Sequence, residues 1–343
     1  MSDIRVGVVG ATGVVGTEML RVLEDRSFPV AELRAYASPR SEGRLLPFAG
    51  GEVTCEVLRD GCFDGLDLVV VDVDDPLALE WAPRAAAAGA KVVDNSAAFR
   101  MEPDVPLVVA EINPEDLQDL PRGITSCPNC TTMVLVTALA PLHRAAEIDR
   151  MVVSTYQSVS GAGQPGVDEL AGQWTKGAGR EDVLSRAGAL DGAVEPGDVW
   201  SKPIAGNVIP LAGSLGDDGL TSEERKLRDE SRKILHAPEM RVRGTCVRVP
   251  VYVGHAMSAN VQFKQSMSRA DAAAILSDAP GVSLVDGPDG APTPLESAGI
   301  DPVLVGRIRD DDTQPNTIDI WVAGDNLRKG AALNAVQLAE LLL

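Results

Sequence analysis

The strongest constraint on this chain lies in its first sixteen residues. Ile4–Val9 is a short β-rich run, and Gly10-Ala-Thr-Gly13-Val-Val-Gly16 follows at once. Val14, Val15, Met19, Leu20 and Leu23 then recur at helical spacing. Glycines between a strand and a helix let the backbone turn tightly and approach a pyrophosphate resting on the helix N-terminus. The spacing is a variant of G-x-G-x-x-G. A plain strand–helix turn packed through glycine reads the same way, but the N-terminal position in a βα unit favours a dinucleotide.

The pattern continues. Strands are expected at Leu33–Ala37, Leu68–Val71, Lys91–Asp94, Leu107–Ala110 and Ile124–Ser126, and helices at Leu77–Ala88 and Thr131–Leu142. Leu68–Val71 is continuously apolar, as a strand buried on both faces is. This alternation implies an α/β fold with a doubly wound parallel sheet. The second half differs. Arg150–Val159, Cys246–Val253, Ala259–Phe263, Val303–Ile308 and Ile318–Ala323 read as strands, separated by loops such as Glu195–Asp198 and Asp286–Gly290. That pattern suggests an α+β domain with a largely antiparallel sheet. A helix is expected over Arg328–Leu343. With 343 residues, two domains are expected.

At the end of the second strand, NAD sites usually place an acidic residue for the ribose. Here the sequence is Ala37-Ser38-Pro39-Arg40-Ser41, with no carboxylate before Glu42. An arginine flanked by hydroxyls suits a ribose 2′-phosphate, which favours NADP over NAD. A solvated polar loop is the plain alternative.

Lys+Arg 31 against Asp+Glu 50 gives a net charge of −19, which disfavours nucleic acid and anionic membranes as partners. No apolar run approaches the ~20 residues of a membrane span, and no secretory signal is visible, so a cytoplasmic location is expected. The five cysteines are an odd number for a disulfide framework, and no Cys/His cluster has the spacing of a metal site.

Cys130 falls between the strand Ile124–Ser126 and the helix Thr131–Leu142. A helix start carries partial positive charge and unpaired N–H groups, which favour a thiolate and can hold an oxyanion. A redox Cys127-Pro-Asn-Cys130 pair remains open. Cys55, Cys62 and Cys246 read as small buried hydrophobes. A thiol nucleophile beside a nicotinamide domain implies a thioester that exchanges hydride with the cofactor. Its base is expected at His255, read as an exposed imidazole titrating near neutrality. Arg248 lies seven residues earlier, so one continuous strand would put the two on opposite faces unless Gly254 turns the chain.

Taken in order, Gly10–Gly16, Ser96–Arg100, Asn129–Thr132, Thr155–Gly163, Glu223–Lys226, Arg248–His255, Val305–Arg309 and Asp325–Ala332 resemble the aspartate-β-semialdehyde dehydrogenase family along the whole chain. The resemblance implies a Rossmann domain (1–129, completed by 326–343) and a catalytic and dimerisation domain (130–325). It implies a homodimer or homotetramer. The reaction it implies is NADP-dependent reduction of L-aspartyl 4-phosphate to L-aspartate 4-semialdehyde and phosphate, in lysine, threonine, methionine and isoleucine biosynthesis. By motif, Cys130 is the nucleophile, His255 the acid/base, and Gln157 orients the acyl group. Arg248 takes the substrate carboxylate, Arg100 and Lys226 the phosphate, Glu223 the amino group, and Asn129 also lies at the substrate. Gly10, Thr12, Gly13, Val14, Val15, Ser38, Arg40, Ser41, Ser160, Gly161 and Asn326 line the cofactor. Two other readings stay open: a related reductase of the N-acetyl-glutamyl-phosphate type, and a non-catalytic NADPH sensor.

Overall fold

The computed structural model describes residues 4–179, 194–285 and 290–343. It divides into two compact units: residues 1–140 with 229–238 and 327–343, and residues 141–228 with 239–326. The first unit therefore runs past the expected boundary at 129, through the first three turns of the helix that opens at Cys130. It also takes back a ten-residue segment from the middle of the chain.

The first unit is built on a seven-stranded sheet. Its elements are β1 (Ile4–Val9), α1 (Val14–Asp25), β2 (Val30–Ala37), β3 (Leu45–Phe48), β4 (Gly51–Val57), β5 (Leu68–Val71), α2 (Asp75–Ala87), β6 (Lys91–Asp94) and β7 (Ile124–Ser126). The strand order is β3-β4-β2-β1-β5-β6-β7, parallel throughout except where β3 pairs antiparallel with β4. The order reverses beside β1, so the glycine turn opens at the switch point where such sheets bind ligands. Val6, Val8, Val9 and all of Leu68–Val71 are buried, as the apolar runs require. α2 starts on an Asp74 side-chain cap with Pro76 in its first turn. The expected strand Leu107–Ala110 is reduced to a single bridge from Leu107 to Ser126. Pro106 precedes it and the chain turns at Ala110, leaving no room for a ladder. The C-terminal segment enters through a π turn, Arg328–Ala332, before the helix Leu333–Leu341.

α3 (Cys130–Ala146) leads from the first unit into the second. The second unit carries a six-stranded sheet of β8 (Ile148–Gln157), β9 (Arg241–Arg248), β10 (His255–Phe263), β11 (Val282–Leu284), β12 (Val303–Asp310) and β13 (Thr317–Gly324), in the order β11-β12-β13-β10-β8-β9. It is mixed: β8–β10, β10–β13 and β12–β13 are antiparallel, while β8–β9 and β11–β12 are parallel. Two strand readings shift. β8 ends at Gln157, and Val159 opens a 3₁₀ turn instead. β9 spans Arg241–Arg248 and not Cys246–Val253, because Pro250 has no N–H to extend the ladder. α4 (Gly163–Gly177) follows β8, and the Val159, Leu170, Trp200, Ile204, Ala205 and Ile209 side chains form one of this unit's cores. α5 (Ser222–Ile234) brings Glu223 and Lys226 into the second unit and Glu230 into the first. The loop Asp286–Gly290 lies largely outside the described residues. Among the described residues no helix is long and apolar enough to cross a membrane.

Candidate functional site

In the glycine turn, each glycine has its own reason. Gly10 has φ +91°, and a Cβ there would sit 2.0 Å from the Asp72 carbonyl oxygen; at Gly16 it would sit 2.2 Å from the Gly10 carbonyl oxygen. Those two positions exclude side chains because backbones meet there. Gly13 is different. It is the N-cap of α1, gives its helix no side-chain cap, and is exposed. Thr12, Val14 and Val15 flank it, partly exposed. A helix start left uncapped and open beside a close-packed glycine turn fits a dinucleotide phosphate. Ser38, Arg40 and Ser41 form a 3₁₀ turn directly after β2, with Ser38 and Arg40 exposed. Among the described residues Arg40 pairs with no carboxylate, and its guanidinium lies at the exposed surface of that turn.

Cys130 opens α3, as the sequence suggests, and is partly exposed. The residue before it closes the helix start: Asn129 Oδ1 accepts from Thr131 N at 3.0 Å and Thr132 N at 3.3 Å. This corrects one expectation. Those two N–H groups are committed to a cap and are not open to an oxyanion, and the Asn129 oxygen is committed with them. Asn129 N in turn donates to Glu230 Oε2 at 2.7 Å. Glu230, 1 % exposed, also pairs with Arg100 through Oε1 at 3.2 Å. Arg100 Nη2 reaches the Asn95 carbonyl at 2.6 Å, while its buried Nε has no hydrogen-bond partner. Burial works against the Arg100 charge, but Glu230 more than offsets it and holds the guanidinium charged; Asp94 and Cys130 add to that field. Glu230 has no signal in the sequence: it sits three residues beyond Leu227 in a run of alternating charges. Cys127 is buried, burial pushes its thiol up to about 12, and its Sγ accepts from Asn334 Nδ2 at 3.4 Å.

In the second unit, buried polar groups converge at the ends of β8, β9 and β10. Gln157 Nε2 donates to Glu223 Oε2 at 3.1 Å, and Lys226 Nζ pairs with Glu223 Oε1 at 3.1 Å. Burial pushes the Glu223 carboxyl up, yet Lys226, Arg248 and Gln157 together bring it down to about 2. Arg248 ends β9 and His255 begins β10, with Gly254 at φ +89° between them. The turn does re-aim the ring: a Cβ on Gly161 would lie 2.8 Å from Arg248 Nη1 and 3.2 Å from His255 Cε1. The two side chains thus share the space beside one glycine. His255 is not the exposed, neutral-range imidazole expected. It is fully buried, and burial, then the Arg248 charge, lower its pKa to about 3. Asn326 and Ser160 are buried and bonded to one another at 2.9 Å, Nδ2 to Oγ. Ser158, which the sequence reading passed over, bonds to His255, Arg248 and Asn326.

A nucleotide-type glycine turn on a parallel sheet, followed by a mixed-sheet unit gathering Gln, Glu, Arg and His, defines a nicotinamide-dependent oxidoreductase of two domains. Family models agree: residues 5–120 match "Semialdehyde dehydrogenase, NAD binding domain" and residues 139–329 match "Semialdehyde dehydrogenase, dimerisation domain". The chain belongs to the aspartate-semialdehyde dehydrogenase family. It is 51% identical to the aspartate-semialdehyde dehydrogenase of Streptomyces akiyoshiensis over 341 residues, covering 99% of this chain and 98% of that one. The crystal structure of aspartate semialdehyde dehydrogenase II of Vibrio cholerae complexed with ASA superposes with a TM-score of 0.93 at 41% identity, covering 100% and 98% of the two chains. The enzyme of Candida albicans with NADP gives a TM-score of 0.75 at 25% identity, covering 99% and 98%.

Proposed function

We propose that this enzyme reduces L-aspartyl 4-phosphate to L-aspartate 4-semialdehyde and inorganic phosphate, using NADPH and a thioester on Cys130. The observation that carries the substrate assignment is the buried set in the second unit. Arg248 offers a guanidinium for a carboxylate, and Glu223, held ionised beside Gln157, offers a carboxylate for an ammonium group. An amino acid presents both. Arg100 and Lys226 are assigned to the phosphate, and both are already held in place by carboxylates.

The steps on the protein follow. Cys130 thiolate attacks the acyl carbon, phosphate leaves, and a thioester remains. Gln157 and Arg248 hold the substrate so that its carbonyl is presented in one orientation, which alone contributes several kcal/mol. His255 is assigned to the carbonyl oxygen. The nicotinamide, when bound, supplies the hydride that reduces the thioester. Carbon–sulfur cleavage then frees the aldehyde and restores the thiolate. The open N-terminus of α1 at Gly13 and the unpaired Arg40 favour NADPH as the hydride source, and the NADP complex of the Candida enzyme supports this. The dimerisation family model supports assembly as a homodimer or larger homo-oligomer.

Phosphate-dependent oxidation of aspartate semialdehyde, followed at the absorbance of the reduced nicotinamide with NADP and NAD in parallel, tests the reading. Turnover is expected with NADP foremost and is expected to vanish in Cys130→Ala while cofactor binding persists. Phosphate-dependent activity retained by that variant refutes the thioester. A preference for N-acetyl-glutamate semialdehyde refutes the substrate.

A further inference from the structure

Residues 229–238 return from the middle of the chain to the first unit. They carry the end of α5, where Glu230 and Lys233 stand at i,i+3 spacing on one face. Both close on Arg100. Glu230 Oε1 pairs with Arg100 Nη1 at 3.2 Å, and Glu230 Oε2 accepts from Asn129 N at 2.7 Å. Lys233 Nζ donates to three carbonyls: Arg100 at 2.8 Å, Glu102 at 2.8 Å and Val105 at 2.9 Å. The guanidinium and the backbone of Arg100 are thus held by two side chains one helical turn apart, from outside the segment that carries it.

An ammonium group has three N–H donors, and three carbonyls use them all. Lys233 is therefore spent on the course of residues 100–105, a stretch with no helix or strand of its own. Arg100 is not spent in the same way. Of its five N–H groups, one goes to Glu230 and one to the Asn95 carbonyl at 2.6 Å, while the buried Nε has no partner. A buried donor left unpaired costs free energy until an acceptor meets it, and a phosphate oxygen is such an acceptor.

We infer that Glu230 and Lys233 are positioning residues that fix Arg100 for the substrate phosphate, Glu230 by aiming the guanidinium and Lys233 by setting the loop from which it springs. The inference rests on the assignment of Arg100 to the phosphate above. Charge and position predict opposite signs here. By charge alone, a carboxylate beside the guanidinium weakens its pull on an anion, so removing Glu230 would tighten phosphate. By position, a long side chain set free spreads over several rotamers, and that freedom must be lost again on binding, so removing Glu230 weakens phosphate. Burial decides for position, because a buried guanidinium stripped of its carboxylate does not stay where it was. The same carboxylate holds the N–H of Asn129, the residue before Cys130, so one group sets both the guanidinium and the start of α3.

The test is phosphate-dependent oxidation of aspartate semialdehyde by the full-length enzyme, varying inorganic phosphate, semialdehyde and NADP in turn. Glu230→Gln keeps an oxygen for Asn129 N and sets an N–H donor against Arg100. Its KM for phosphate is expected to rise about 10–100-fold, the scale of a charge-assisted hydrogen bond, and by more than its KM for NADP. Should that variant fail to fold, Glu230→Asp, which keeps the charge but is too short to span both partners, carries the same expectation. Lys233→Met is expected to raise the same KM about 3–10-fold. Adding Glu230→Gln to Arg100→Gln is expected to change KM for phosphate by less than about twofold, since Glu230 acts through Arg100. A crystal structure of Glu230→Gln is expected to show the guanidinium moved off the Asn95 carbonyl. An unchanged or lowered KM for phosphate in Glu230→Gln, additive losses in the double variant, or a guanidinium still in place overturns the inference. Absence of phosphate-dependent turnover in the wild type would instead overturn the reaction assigned above, and the crystal structure would still decide whether Glu230 fixes Arg100.

Discussion

Gly161→Ala isolates the role of a missing side chain. Gly161 lies in the 3₁₀ turn after β8 and its φ is not positive, so alanine fits the backbone. The added methyl would stand 2.8 Å from Arg248 Nη1 and 3.2 Å and 3.4 Å from His255 Cε1 and Nε2. One of the two neighbours must yield. The His255 ring is buried and fixed by Ser158, whereas the guanidinium is the far end of a flexible chain, so Arg248 moves. The cost is its 2.7 Å bond to the Ser158 carbonyl and its aim at the substrate carboxylate. A charge-assisted hydrogen bond is worth about 1.5–3 kcal/mol, which converts to roughly 10–100-fold in kcat/KM. Stability changes little, because alanine at a compatible glycine position regains about 0.4–1 kcal/mol through the unfolded chain. The assay is steady-state oxidation of the semialdehyde, varying semialdehyde and NADP separately, with thermal unfolding alongside. The expected result is a KM for the semialdehyde raised by more than that for NADP, and a melting temperature within about 3 °C of wild type. Activity within threefold of wild type refutes the crowding argument. A rise confined to the KM for NADP shows that Gly161 faces the cofactor instead.

Two other outcomes follow from groups in the first unit. Arg40→Ala removes an exposed, unpaired guanidinium, so it is expected to leave stability alone and to raise KM for NADPH by about 10–100-fold while changing NADH use little; equal effects on both cofactors refute its assignment. Asp94 is fully buried, and burial pushes its carboxyl up to about 6 from an ordinary 3.8. The folded state therefore holds a proton that the unfolded chain has released between about pH 4 and 6, so stability falls as pH rises through that window and stays lower above it. The gap corresponds to roughly 3 kcal/mol, and it is what burial leaves after the Ser96 hydrogen bonds and the nearby Arg100 charge have pulled the carboxyl back down. Asp72 is pushed up to about 6 in the same way. Asp94→Asn is thus expected to gain about 1–2 kcal/mol at pH 7.5 and to halve the slope of urea-unfolding free energy between pH 4 and 6; an unaltered slope refutes it.

The parallel sheet was legible to the residue where strands are buried on both faces. Ile4–Val9, Leu68–Val71, Lys91–Asp94 and Ile124–Ser126 all stand as read, Leu68–Val71 because full burial demands an unbroken apolar run and the others because a short β-branched stretch is buried between turn signals. The elements that hid are those whose residues argue against their own structure. β3 contains Pro47, tolerated because the strand is at the sheet edge. α4 contains Gly163, Gly166, Gly172, Gly177 and Pro165, yet it is a helix because Leu170 and Val167 bury against Trp200 and its neighbours and override propensity. The start of β9 was missed for a related reason: charged Arg241 and Arg243 look like loop, although they sit on exposed positions of that strand.

At the site, residue identity was legible and residue state was not. A net charge of −19 suggests that cations must be free to attract polyanionic ligands, and that holds only for exposed Arg40. Arg100 is paired with Glu230 out of reach of water, and Lys226, itself partly exposed, is paired with buried Glu223. Glu223 and Lys226 stand at i,i+3 spacing on one helix, but the Glu230 partner of Arg100 and the burial of His255 are not written in spacing, because both depend on what the fold packs against them. Their consequence is nonetheless physical. A lone buried cation is costly, while one already partnered keeps its charge and its direction before any substrate arrives. Around Gln157 the set Lys226, Arg248 and Glu223 then amounts to one net positive charge, enough to accept an anion and specific enough to demand an ammonium group beside it. On the proposed substrate assignment, an ionised Glu223 beside Gln157 is the group that would ask for an ammonium, and Lys226 and Arg248 keep it ionised.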